Sequence, residues 1–90
     1  MSQIKKMAIA GTMESNDILI TVAPAAAGAG IAIELTSPVL KQYGRQIKAV
    51  IEEVLAEHDI TDAVINGSDK GALDCTIKAR LTTALARAGE

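Results

Sequence analysis

The spacing of hydrophobic residues changes along this chain, and the changes mark its elements. Over residues 7–13, Met7, Ile9 and Met13 fall on one face and small residues on the other, a half-buried strand with a glycine in it. Residues 18–23 repeat the period of two more strongly, with Ile18, Ile20 and Val22 on one face. Between them stands Glu14-Ser15-Asn16-Asp17. Asn and Asp tolerate left-handed backbone and bond to their own turns, which predicts a tight hairpin with Ser15 and Asn16 at its tip. Residues 24–30 form a mobile Pro/Ala/Gly loop, and residues 31–35 resume alternation as a third strand.

Helical spacing follows. Ser37 is placed to cap and Pro38 to open a helix whose apolar face is Leu40, Tyr43, Ile47, Val50, Ile51, Val54 and Leu55, ending near His58. Gly44 inside it costs about 1 kcal/mol relative to Ala. Residues 60–65 predict a short fourth strand, broken by Asn66-Gly67-Ser68-Asp69, with Ser68 or Asp69 capping the next helix. That helix carries the stripe Leu73, Ile77, Leu81, Ala84, Leu85 and Ala88, with Gly89 just past its end. The order ββ-β-α-β-α defines an α+β fold: a four-stranded sheet with both helices packed on one face, because each helix has one apolar stripe to bury. Residues 1–90 make one domain, and the pattern leaves the strand order open.

Composition narrows the function classes. Hydrophobic residues are 49% of the chain and charged residues 22%, the balance of a globular protein. Phe and Trp are absent and Tyr43 is the single aromatic, so aliphatic side chains and Ala must fill the core. Base-stacking nucleic-acid binders need several rings, and the net charge of -2 lacks the basic surplus that phosphate backbones demand. No nucleic-acid partner is expected. The longest uncharged stretch, residues 18–33, is shorter than the ~20 apolar residues of a bilayer span and contains Pro24, Gly28 and Gly30. No membrane partner or signal segment is expected, and a single cysteine, Cys75, fits the cytosol.

Catalytic groupings are scarce. A metal site needs three or four converging ligands, whereas His58 and Cys75 stand singly, as a surface histidine and an inert helix cysteine. No catalytic residue and no metal ligand is expected. Gly28 and Gly30 precede a strand instead of opening a helix, so they do not form a dinucleotide fingerprint. The turn at residues 67–71, with Lys70, reads as a cap more readily than as an anion site. Glu52, Glu53 and Glu57 form a solvated face. On the second helix Ala72, Cys75, Ala79 and Ala86 make a face of small residues, which serves close docking by another helix or simply favours the helix. Ser15 projects with no base beside it, so it is an acceptor for another enzyme's chemistry and not an activated nucleophile.

These stretches resemble the acyl carrier protein, or gamma subunit, of citrate lyase. Residues 10–17, AGTMESND, are similar to the family's segment around its modified serine. Residues 69–81, DKGALDCTIKARL, are the more distinctive match, and Lys41-Gln42-Tyr43-Gly44 also fits. The likeness runs from about residue 7 to 88. Met13, Asn16 and Tyr43 depart from the family pattern without removing the serine or its acidic flanks.

The resemblance implies that Ser15, flanked by Glu14, Asn16 and Asp17, carries covalent 2'-(5''-phosphoribosyl)-3'-dephospho-CoA, attached by a separate transferase. It implies two partners, an alpha subunit that exchanges acetyl for citrate on the carrier's thioester and a beta subunit that releases oxaloacetate. Lys70, Ala72, Cys75 and Ala79 are the expected docking residues. The chain would then be a non-catalytic carrier in a lyase complex, its acidic flanks keeping the arm off its own domain. The carrier subunit of malonate decarboxylase, which uses the same group, is the alternative. An unmodified interaction module is the reading from another class.

Overall fold

A computed structural model describes residues 4–89. Among them four strands and two helices follow the expected order: β1 (Ala8–Gly11), β2 (Ile18–Pro24), β3 (Ile31–Thr36), α1 (Leu40–Glu57), β4 (Ala63–Asp69) and α2 (Asp74–Arg87). The sheet order is β1-β2-β4-β3. β2 runs antiparallel to both β1 and β4, and β3 runs parallel to β4. α1 is the crossover that a parallel β3–β4 pair requires. Both helices lie on one face of the sheet, with α2 against β1 and β2 and α1 against β3 and α2.

The register explains which residues form the core. One row across the sheet reads Ala10, Ile20, Gly67 and Leu35, and the next reads Ala8, Val22, Ile65 and Ile33. Both rows face the helices, where Ile20, Val22 and Ile65 are fully buried. From the helices come Ile47, Val50, Ile51, Val54 and Leu55 of α1, and Ile77, Leu81, Ala84 and Leu85 of α2. Ile4 closes one edge, where the Lys5 amide donates to the Ala88 carbonyl at 3.0 Å.

Local readings differ from the structure at several places, each for a physical reason. In β1 the core-facing side is the small one, Ala8 and Ala10, while Met7, Ile9 and Met13 are exposed. α2 packs directly on this edge strand, and alanines let it approach. Gly11 (φ +97°) has no room for a side chain: a Cβ there would collide with the Ile18 carbonyl. β4 does not stop at Ile65 but runs through Asn66, Gly67, Ser68 and Asp69, because a central strand is paired on both sides and that pairing overrides the Asn-Gly turn signal. Neither Ser68 nor Asp69 caps α2, which begins at Asp74 after Leu73. Ser37 is not the N-cap of α1 and Pro38 does not open it: the Ser37 hydroxyl accepts from the Val39 amide at 3.2 Å, and regular helix starts only at Leu40.

Three expected core residues, Leu40, Tyr43 and Leu73, are exposed, Leu73 to 70%. Each sits in or before the first turn of its helix, beyond the edge of the sheet. The loop at residues 24–30 is tied down by an Ala29 amide to Ala26 carbonyl turn at 2.9 Å and by the Gly30 amide donating to Asp62 Oδ1 at 2.7 Å.

Two leucines in the expected α2 stripe should therefore behave differently. Leu81→Ala should cost about 2–5 kcal/mol and Leu73→Ala about 0.5 kcal/mol or less, measured by urea denaturation. Equal losses would place Leu73 in the core.

Candidate functional site: a clamped serine loop beside an apolar groove

One end of the sheet gathers the chemistry. The β1–β2 connection, the ends of β3 and β4, and the first turns of both helices all meet there. Residues 14–17 form a turn closed by the Asp17 amide donating to the Glu14 carbonyl at 3.2 Å, with Asn16 in the left-handed region at φ +64°. Ser15 stands at the tip, exposed, and its hydroxyl makes no hydrogen bond to the described residues. No base touches it, so the protein presents this hydroxyl without activating it.

The tip is held from both sides. The Asn16 amide donates to the Lys70 carbonyl at 2.8 Å, and the Lys70 amide donates to the Asp17 carbonyl at 2.9 Å, extending the β2–β4 ladder past the strands. Beneath it Asp17 is only 9% exposed. Its carboxylate accepts from Arg80 Nε at 3.0 Å and Nη2 at 2.7 Å, from the Thr12 hydroxyl at 2.7 Å and from the Ile18 amide at 2.7 Å. Thr12 Oγ1 in turn accepts from the Glu14 amide at 3.2 Å. A two-point Arg–carboxylate contact fixes orientation as well as distance. The Arg80 hydrogen bonds, aided by Thr12 and Ile18, hold the Asp17 carboxyl far below the usual carboxylate range, and Asp17 in turn raises Arg80.

This changes the expected role of the acidic flanks. Glu14 is exposed, but Asp17 is turned inward and its charge is matched by Arg80, so it is not a free repelling group beside the tip. Sequence spacing does not reveal Arg80, which lies 63 residues from Asp17 and off the apolar stripe of α2.

Next to the tip, Asp69 organises the turn into α2. Buried to 2% exposure, it accepts from the Ser37 hydroxyl (2.8 Å), the Gly71 amide (3.1 Å) and the Ala72 amide (2.9 Å). Ala72 thus lies in this turn, half-buried against the core, and shares no helical face with Cys75 and Ala79. Cys75, Ala79 and Lys70 are exposed, Lys70 immediately beside the serine loop.

Between this turn and α1 runs an open groove of about 580 Å³, lined by Val39, Tyr43, Gln46, Ala72, Leu73 and Asp74 among others. Gln46 Nε2 donates to Asp74 Oδ2 across it at 2.8 Å. Tyr43 and Leu73, expected in the core, form its apolar walls. Among the described residues no cluster of three or more His, Cys, Asp or Glu could hold a metal, and no helix is long and apolar enough to cross a membrane.

With the fold and this geometry in view, comparison with known proteins shows the family. A family model described as "ACP: Malonate decarboxylase delta subunit (MdcD)" matches residues 5–88. The citrate lyase acyl carrier protein of Lacticaseibacillus casei (strain BL23) is 52% identical over 88 residues, covering 98% of this chain and 85% of that protein. That of Treponema denticola is 48% identical over 88 residues, covering 98% of each. A chain in the crystal structure of a Pseudomonas malonate decarboxylase hetero-tetramer in complex with malonate superposes with a TM-score of 0.80 at 18% identity, over 98% of this chain and 89% of that one, and shares the fold. The chain belongs to the acyl carrier family that includes the citrate lyase acyl carrier proteins.

The clamp has a pH signature. Because the folded-state pKa of Asp17 is depressed, its contribution to stability is complete above the ordinary aspartate value of about 3.9 and is lost as pH falls below it. Asp62, lowered by the Gly30 and Gly28 amides, acts in the same direction. Asp17→Asn should therefore flatten the acid limb of a stability–pH curve below about pH 4 and speed amide exchange at Ser15 and Asn16, with α1 unchanged. An acid limb identical to that of the parent would contradict the clamp.

Proposed function

We propose that this chain is the covalent acyl carrier of a citrate lyase complex, with Ser15 as the attachment point for 2'-(5''-phosphoribosyl)-3'-dephospho-CoA. The observation that carries the reading is the exposed, unbonded Ser15 hydroxyl at the tip of a loop fixed by Asp17 and Arg80. The residues fit such a group. Ser15 is exposed, with Lys70 beside its loop, and the charge of Asp17, two residues on, is matched by Arg80. When attached, the group supplies a thiol for acyl thioesters. The chain's own part is to hold its root in a constant position and to leave reactive chemistry to others.

Tethering makes each delivery intramolecular, at effective concentrations on the order of mM for a short flexible arm. The expected consumers are an alpha subunit that exchanges acyl groups and a beta subunit that cleaves the citrate-derived ester, after loading by a dedicated transferase. Lys70, Cys75 and Ala79 are exposed near or along α2 and are the docking residues we favour; Ala72 contributes through the turn. A cytoplasmic location accords with this role. The relatives named as citrate lyase carriers, at about half identity over nearly the whole chain, favour citrate over malonate as the substrate of the complex.

Protein isolated from its natural host should show the added mass of the group, absent from Ser15→Ala, and denatured protein should titrate two thiols, Cys75 and that of the arm. A host protein of unmodified mass with one thiol would remove the carrier reading. Addition of alpha and beta subunits should release oxaloacetate from citrate. Release of carbon dioxide from malonate instead would move the chain to the decarboxylase branch.

A further inference from the structure

The groove beside the serine loop has features that mere presentation of a hydroxyl does not require. Tyr43, the single aromatic of the chain, is 55% exposed and lines it together with the 70%-exposed Leu73. An aromatic ring and an aliphatic side chain facing a slot are the two walls that sandwich a planar base. At the rim, Gln46 gives its amide nitrogen to Asp74, which leaves the Gln46 amide oxygen and the second Asp74 oxygen as acceptors. The groove and the serine loop meet at Gly71: it lines the groove, and Asn16 Oδ1 is 3.5 Å from where a Gly71 Cβ would stand. Ser15 is one peptide away from Asn16, a Cα step of about 3.8 Å.

We propose that this groove seats a purine base carrying an exocyclic amine, the adenine of the arm rooted at Ser15, between Tyr43 and Leu73. This rests on the carrier reading above and goes beyond it by naming where the arm is held. The connectivity of the group favours adenine over the rest of the arm. Its nucleoside lies between the serine phosphodiester and the diphosphate, and so is the part of the arm nearest the root that can reach the Gly71 end of the groove. Charge points the same way. Asp69 and Asp74 line the groove, which disfavours a diphosphate, while a neutral base donating its amine to Gln46 and Asp74 is accepted. Seating the base shortens the free part of the arm to the diphosphate, the pantetheine segment and its thiol, so the sweep of the thiol is set by the groove as well as by the serine.

Free adenosine needs only weak affinity for this to matter, because the tethered base experiences a local concentration on the order of mM. The test is an NMR titration of the full, unmodified chain with adenosine, inosine and pantetheine in separate arms. Adenosine should give saturable shifts at the Tyr43 ring, the Gln46 side-chain amide and the Ala72 and Leu73 amides at millimolar concentration. Inosine, which has an oxygen in place of the amine, should bind several-fold more weakly. Tyr43→Ala should weaken adenosine binding roughly tenfold, as loss of one stacked base does, and Tyr43→Phe should restore it. Leu73→Asp, at a position outside the core, should weaken it as well. No saturable shift at these positions, or pantetheine binding there more tightly than adenosine, would overturn the assignment. Loading of Ser15 is read separately by mass, so a chain that loads but lacks an adenosine site refutes this inference alone.

Discussion

The contact between Asp17 and Arg80 is the constraint on which the functional end of this protein depends. A six-residue connection between β1 and β2 has little apolar surface of its own with which to order itself, since Met13 is exposed and the rest is polar or small. A charged side chain from α2, anchored by the buried run Ile77, Leu81, Ala84 and Leu85, reaches across and takes the base of the loop in a two-point grip. The order of the core is transmitted in this way to a surface serine. The cost of enclosing an aspartate is offset because all its described contacts are donors: guanidinium, hydroxyl and amide.

Sheet topology brings the remaining parts to the same place. With β4 between β2 and β3, its last residue, Asp69, is next to the first residue of β2 and close to Ser37 beyond β3. One buried carboxylate then organises the turn that leads to α2, as another organises the serine loop. The two turns are joined backbone to backbone through Asn16 and Lys70. The groove follows from this arrangement, because a turn pinned by Asp69 holds Leu73 away from the core and opposite the first turns of α1. The opposite end of the sheet, with the loop at residues 24–30 tied to Asp62, is free of these demands.

What the sequence discloses and what it conceals divide along a physical line. Ser15 is legible because turn chemistry is local: Glu-Ser-Asn-Asp between two alternating runs is sufficient to place a tip. The α+β class is legible because each element has its own period. The extent of β4 is not, since an Asn-Gly pair favours a turn and only the presence of strands on both sides defeats it. Leu40, Tyr43 and Leu73 satisfy the helical period and still miss the core, because periodicity gives a direction around a helix but not where the sheet ends. Arg80 leaves no local trace at all. Its partner is 63 residues away, and an exposed face of α2 is where a solvated arginine is ordinarily found.

In the proposed carrier role, the Asp17–Arg80 pair acts as one unit and sets the posture in which Ser15 would meet a modifying transferase. A double-mutant cycle on the rate of group transfer to Ser15 tests this directly, using Asp17→Asn, Arg80→Gln and the two combined. Each single change should slow transfer, and the combination should be no slower than the worse single one. Additive losses, or transfer at the parent rate in all three variants, would contradict it.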